Sequence, residues 1–266
     1  MTETRAIALR LSYDGAAFHG SARQTGPGGR DRVRTVASVL AGALERLYGR
    51  VVGVSFASRT DAGVHALGQL AAFVPPNPIP PAGVRKALDD RLPADLAVRD
   101  AGWIDAGLDV RRDNGGKRYR YVFATARARH PFVDRWAYRV GRPLDVAAMR
   151  RAAAGLVGRH DFAGFRAADC QARTTVRTIR RIEIAAVERA GEPLVEVTVE
   201  GDAFLKNMVR ILAGTLYDVG RGRFDPARAL RPLTTADRCD AGPTAPPHGL
   251  TLVEVLWPHG WDRHGA

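Results

Sequence analysis

The sequence predicts an α+β fold made of two ferredoxin-like (βαββαβ) halves, each with an antiparallel sheet, and a central cleft between the halves. Three observations carry this expectation. Short apolar runs with strand character alternate with segments of helical period in the order β-α-β-β-α-β. The same order recurs in the second half of the chain, although the two halves share little residue for residue. A length of 266 residues with 45% hydrophobic composition suffices for two cores of ordinary domain size.

In the first half, residues 1–105, "AIALRLSYDG" (6–15) reads as a strand ended by the turn pair Asp14-Gly15. The stretch 21–32 is a Gly-rich basic loop. "VASVLAGALERLYG" (36–49) has apolar residues three and four apart and stops at Gly49, so it is a helix. "VVGVSFA" (51–57) and "LGQLAAFV" (67–74) are strands, the second closed by the proline cluster 75–81. A short helix over 82–92 and a strand over 96–104 complete the unit. In the second half, residues 106–266, strands are expected at 117–125, 176–188, 193–201 and 250–257, with helices at 145–158 and 207–222. The strand pair 176–201 turns through Gly191.

The net charge of +12 favours a polyanionic partner. Arginine dominates: the chain has only Lys86, Lys117 and Lys206 as lysines. A GC-rich genome would explain Arg in place of Lys, but not the excess of basic over acidic residues. Cys170 and Cys239 form no C-x-x-C pair, so neither a zinc site nor a disulfide framework is expected. No run of 18 apolar residues marks a membrane span and the first residues lack a signal-peptide core, so the expected location is cytoplasmic.

The string "ASRTDAGVHALGQL" (57–70) interrupts two apolar runs with Arg59, Thr60, Asp61 and His65. A glycine two residues after Asp61 allows a tight turn at a strand end, which can present the carboxylate to a ligand. An Asp in such a turn is ordinarily a turn-former, Arg59 a surface residue and His65 a capping or core residue. The whole string is far more specific. "RTDAGVHALGQ" resembles the signature of the tRNA pseudouridine synthase A (TruA) family. "YDGAAFHG" (13–20), "KRYRY" (117–121), "HDFAGFR" (160–166) and "FLKNMVRILAGTLYDVG" (204–220) resemble further blocks of that family, in the same order. The chain departs from the family pattern at Ser21, where the family has Trp, at Ala37, and at "LDVR" (108–111).

The resemblance implies a pseudouridine synthase fold and a homodimer. It also implies isomerisation of uridine to pseudouridine in tRNA, commonly at positions 38, 39 and 40 of the anticodon stem-loop. No cofactor and no metal are implied, because the bond from C1′ to N1 is exchanged for one from C1′ to C5 without redox change. Asp61 matches the catalytic aspartate. A carboxylate, ionised at neutral pH, can attack C1′ of the ribose or C6 of the base, or act as base in an elimination. Tyr119 matches a tyrosine that stacks on the target base, Arg210 an arginine that pairs with the aspartate, Arg59 an arginine that helps flip the nucleotide, and Phe165 an aromatic near the site. Period two places Tyr121 on the same face as Tyr119, so spacing alone does not separate them. The rival reading is a non-catalytic RNA-binding or tRNA-folding protein on the same fold. A hydrolytic glycosidase fits less well, since it normally needs two flanking carboxylates.

Overall fold

The computed structural model describes residues 5–25 and 31–263. Part of the expected Gly-rich loop, residues 26–30, lies outside them. The chain divides into two compact units: Met1–Gly115 together with Leu252–Ala266, and Gly116–Thr251. The architecture is α+β with mostly antiparallel strands, as the alternation of periods predicts.

The first unit holds β1 (Arg5–Tyr13), α1 (Val36–Tyr48), β2 (Ser55–Phe56), β3 (His65–Phe73), α2 (Pro81–Asp89) and β4 (Leu96–Asp105). β1 lies between β3 and β4 and runs antiparallel to both, with Ile7 opposite Phe73 on one side and Trp103 on the other. β2 pairs antiparallel with β3, giving the 4-1-3-2 order of a split βαβ unit. α1 opens with a reciprocal capping box, in which the Thr35 hydroxyl accepts from Ser38 N and the Ser38 hydroxyl accepts from Thr35 N. It closes at Gly49, whose φ of 69° is the left-handed conformation a helix C-terminus favours. Val36, Leu40, Ala43 and Leu44 form its buried stripe.

The second unit holds β5 (Lys117–Ala124), β6 (Tyr138–Arg139), α3 (Val146–Ala154), β7 (Gly158–Asp161), β8 (Val176–Arg189), β9 (Glu192–Gly201), α4 (Met208–Gly220) and α5 (Arg231–Thr235). Its strand order is β5-β9-β8-β7, each antiparallel to its neighbour, with β6 parallel to β5. Ala190 and Gly191, both at positive φ, turn β8 into β9. α4 is buried along most of its length, through Met208, Ile211, Leu212, Leu216 and Val219. Its interior carboxylate, Asp218, accepts from Arg221 Nε at 2.7 Å and Arg223 Nη1 at 3.3 Å, which satisfies a charge otherwise costly to bury.

The last strand, β10 (Leu250–Val255), begins in the second unit and joins the first from Leu252 onward. There it runs beside β3, where a Cβ on Gly68 would lie 2.6 Å from the Val253 carbonyl. The strand expected over 51–57 is reduced to the two-residue β2: with Ser55 opposite Ala72, residues 51–54 would face 73–76, where β3 has ended at Phe73 and Pro75 and Pro76 have no N–H to pair. β6, β7 and α5 have no counterpart in the expected order. α3 ends at Ala154 rather than 158, where Gly155 packs against Leu230 with no room for a side chain.

Candidate active site

Asp61 lies half-buried in the loop that joins β2 to β3. Its carbonyl accepts from Val64 N at 3.2 Å, closing a turn that Gly63 completes with φ of 79°. Gly63 N donates to Phe18 O at 3.2 Å, tying the turn to the segment after β1. Arg59 is exposed and Thr60 between them is buried, so the loop turns its middle residue inward and its cation outward.

A buried polar network holds this turn from below. The fully buried Ser21 accepts from Thr60 N at 2.8 Å through its hydroxyl, which in turn reaches Ser58 O at 3.4 Å. Ser21 N donates to Thr60 O at 3.1 Å. Gln69, also fully buried, accepts from Ser58 N at 3.2 Å and donates to Ser58 O at 2.9 Å. The Tyr13 hydroxyl stands 2.8 Å from Thr60 Oγ1 and 3.4 Å from Gln69 Nε2. Burial pushes the Tyr13 phenol up to about 12, so it remains a neutral hydrogen-bonding group. Ser58 is therefore fixed through its backbone and Thr60 through backbone and side chain together, and the carboxylate that follows inherits that rigidity.

Two glycines make the arrangement possible. A Cβ on Gly15 would lie 2.1 Å from Val64 O, and one on Gly20, at φ of 93°, would lie 2.7 Å from Thr60 O. His65 is a buried tie rather than a surface cap: its Nδ1 accepts from Gly15 N at 3.1 Å and lies 3.2 Å from Asp14 Oδ1. Gln69 left a signal in the sequence as a polar residue among the apolar neighbours of β3. Ser21 stood out in the sequence only as a departure from the family pattern, since its supporting role depends on the loop that packs over it.

The other sequence-predicted residues belong to the second unit. Tyr119 in β5 is buried and its ring meets Phe204 edge-on, with centroids 5.4 Å apart. Tyr121, two positions along the same face, donates its hydroxyl to Pro246 O at 2.8 Å and packs on Gly249. Burial raises its pKa far above the ordinary phenol value. Contact thus separates what the period-two spacing left equivalent: Tyr121 is a core strut. Arg210 in α4 donates from Nε to Ala245 O at 2.8 Å and from Nη1 to Asn207 Oδ1 at 3.0 Å. Arg210 and Tyr121 so grip adjacent carbonyls of the segment that leads into β10. Phe165 is fully buried in a short 3₁₀ turn, edge-on to Phe162 at 5.9 Å, and offers no ring face at the surface. Among the described residues no three His, Cys, Asp or Glu side chains gather in a way that could hold a metal ion.

These features define an α+β protein whose first unit has split βαβ order, with an aspartate held in the loop before β3. The comparison with known proteins gives the family. The model described as tRNA pseudouridine synthase matches residues 11–109 and 152–258, and the chain belongs to that family. It is 47% identical over 255 residues to the tRNA pseudouridine synthase A of Myxococcus xanthus, covering 96% of this chain and 92% of that one. It is 42% identical over 251 residues to that of Syntrophotalea carbinolica, with 94% and 96% covered. The protein of the same name from Geobacter sulfurreducens is also 42% identical over 251 residues, with 94% and 99% covered.

Proposed function

We propose that the protein isomerises uridine to pseudouridine in tRNA, at positions 38, 39 and 40 of the anticodon stem-loop, with Asp61 as the catalytic carboxylate. The observation that carries this reading is the Asp61 turn, in which a half-exposed carboxylate sits on a fully hydrogen-bonded buried network. Near-full-length identity to tRNA pseudouridine synthases supports the substrate class.

The reaction balances without a partner reagent. The bond from C1′ to N1 breaks, uracil turns, a bond from C1′ to C5 forms, C5 loses its proton and N1 gains one. One carboxylate can drive this by attack at C1′, by attack at C6, or by taking a ribose proton in an elimination. Extruding a stacked base costs a few kcal/mol, which contacts from arginines to phosphate and stacking on an aromatic ring can offset. In this reading Arg59, exposed beside the turn, helps extrude the nucleotide. Tyr119 stacks on the target base, with Phe204 bracing its ring. Arg210 pairs with the catalytic carboxylate. Phe165 supports the site from within the core. The enzyme acts as a homodimer in the cytoplasm and uses no cofactor.

Unmodified tRNA transcript incubated with the protein, followed by chemical labelling of pseudouridine, tests the reading. Wild type yields product, and Asp61→Asn yields none while binding tRNA with similar affinity. Full turnover by Asp61→Asn would overturn the catalytic assignment. Tight tRNA binding by wild type with no product would favour the RNA-binding reading instead.

A further inference from the structure

The turn between β5 and β6 carries chemistry that the Asp61 site does not use. Phe132 there is 80% exposed, the most exposed of the large apolar residues among those described. Single exposed apolar residues are common and need no account. This one differs in its setting. The turn under it is rigid: Val133 N and Asp134 N both donate to His130 O, at 3.0 and 2.8 Å, and Trp136 N donates to Val133 O at 3.0 Å. Asp134 Oδ2 accepts from His130 N at 3.3 Å, and Arg139 Nη1 donates to Ala126 O at 2.7 Å. Val133, next to Phe132, is fully buried with Val122, Ala124, Ala137 and Leu194. The core therefore anchors the turn one residue away from the ring and holds the ring outward. The His130 imidazole stands edge-on to it at 6.1 Å.

Cations flank Phe132 along the turn. Arg127, Arg129 and Arg135 are exposed, Arg129 by 91% of its side chain. The nearby carboxylates, Asp134 and Glu192, are both engaged by Arg139, at 2.6 and 3.3 Å, and Arg129 reaches Asp134 only at 3.9 Å. Arg127, Arg129 and Arg139 against Asp134 and Glu192 leave the patch positive.

We propose that the turn 127–135 is a contact site for RNA outside the reaction centre, in which Phe132 stacks on an unpaired base and Arg127 and Arg129 contact the flanking phosphates. An aromatic face held at the surface among guanidinium groups is the combination that single-stranded nucleic acid requires. A second copy of the chain fits less well, because a symmetric contact through this patch would set like-charged arginines against each other. The proposal rests on the reading of tRNA as substrate.

The test compares wild type, Phe132→Ala, Phe132→Trp and Arg127→Ala/Arg129→Ala. Unmodified tRNA transcript is the probe, titrated at several salt concentrations, with oligomeric state measured by sedimentation. Phe132→Ala should weaken binding about 5- to 100-fold, the range set by loss of one stacked base. Phe132→Trp should bind as wild type does. The double arginine variant should flatten the log–log salt slope by about 1.5, near the value for two phosphates. Turnover at saturating tRNA should be unchanged, and so should melting temperature, since these side chains lie outside the core. Wild-type affinity in Phe132→Ala, equal losses in the Ala and Trp variants, or a changed oligomeric state in Phe132→Ala would each overturn the proposal. Absence of pseudouridine with wild type would overturn the functional reading instead, and the binding comparison would still be decided on its own.

Discussion

At the scale of the residue, the hydroxyl of Ser21 faces the loop it supports across 39 positions of sequence, accepting from Thr60 N at 2.8 Å. Ser21→Ala would leave that amide buried without its partner, at a cost of about 1–3 kcal/mol. Asp61 is the next residue, so under the proposed role of Asp61 the loss falls on the aim of its carboxylate. The expected outcome is a kcat lowered about tenfold or more with tRNA affinity retained, because placement errors near 1 Å are enough for such losses. Single-turnover rates and Kd for tRNA check it, and an unchanged kcat would show that the turn holds its shape without the serine. Asp61 and Arg59 were legible as candidates because their signature is contiguous. The Ser21 support was not, because a small residue standing where the family has Trp carries no local sign that its hydroxyl is buried under another loop.

Single elements show where acid should act on stability. Asp134, in the turn after β5, accepts from Arg139 at 2.7 Å, and that guanidinium holds its carboxyl below the usual aspartate range. A lowered native pKa gives stability that is fully present above the unfolded value, about 3.9, and is lost as pH falls through the native value. Asp134→Asn should therefore destabilise the protein by about 1–2 kcal/mol at pH 7. The difference from wild type should shrink toward zero below about pH 3.9. Denaturant unfolding at a series of pH values measures this, and a pH-independent difference would contradict it. Helices proved legible through caps and periodicity: α1 stops where Gly49 takes a left-handed φ, and β8 turns into β9 at Gly191. β2 was overestimated for a reason outside its own residues. Its apolar run is strand-like, but in the observed register residues 51–54 would face 73–76, where β3 has ended and the prolines begin.

For the whole molecule the excess of basic residues sets how it meets its substrate. A chain of net charge +12 that binds tRNA releases counterions from each phosphate it contacts. Affinity should fall by about two to three orders of magnitude between roughly 50 and 200 mM salt, the response expected for five or six phosphate contacts. A flat titration would remove the electrostatic basis of the substrate reading. The fold class and the repeated element order were legible because each half carries its own periodicities. The composition of the first unit was not, since its last pieces come from the far end of the chain. Trp103 exchanges two backbone hydrogen bonds with Asp262, at 2.7 and 3.0 Å, Gly115 N donates to Leu256 O at 2.7 Å, and Arg5 meets Asp262 at 2.9 Å.

This discontinuity imposes an order on biogenesis. The stretch bearing Asp61 is made early, yet the unit around it stays unfinished until Gly116–Thr251 and the final residues have left the ribosome. At about 5–20 residues per second, translation of that intervening portion takes roughly 7–27 s. During this time the N-terminal strands stand with an unclaimed edge, so the unit that carries Asp61 is the one that waits longest for its last strand.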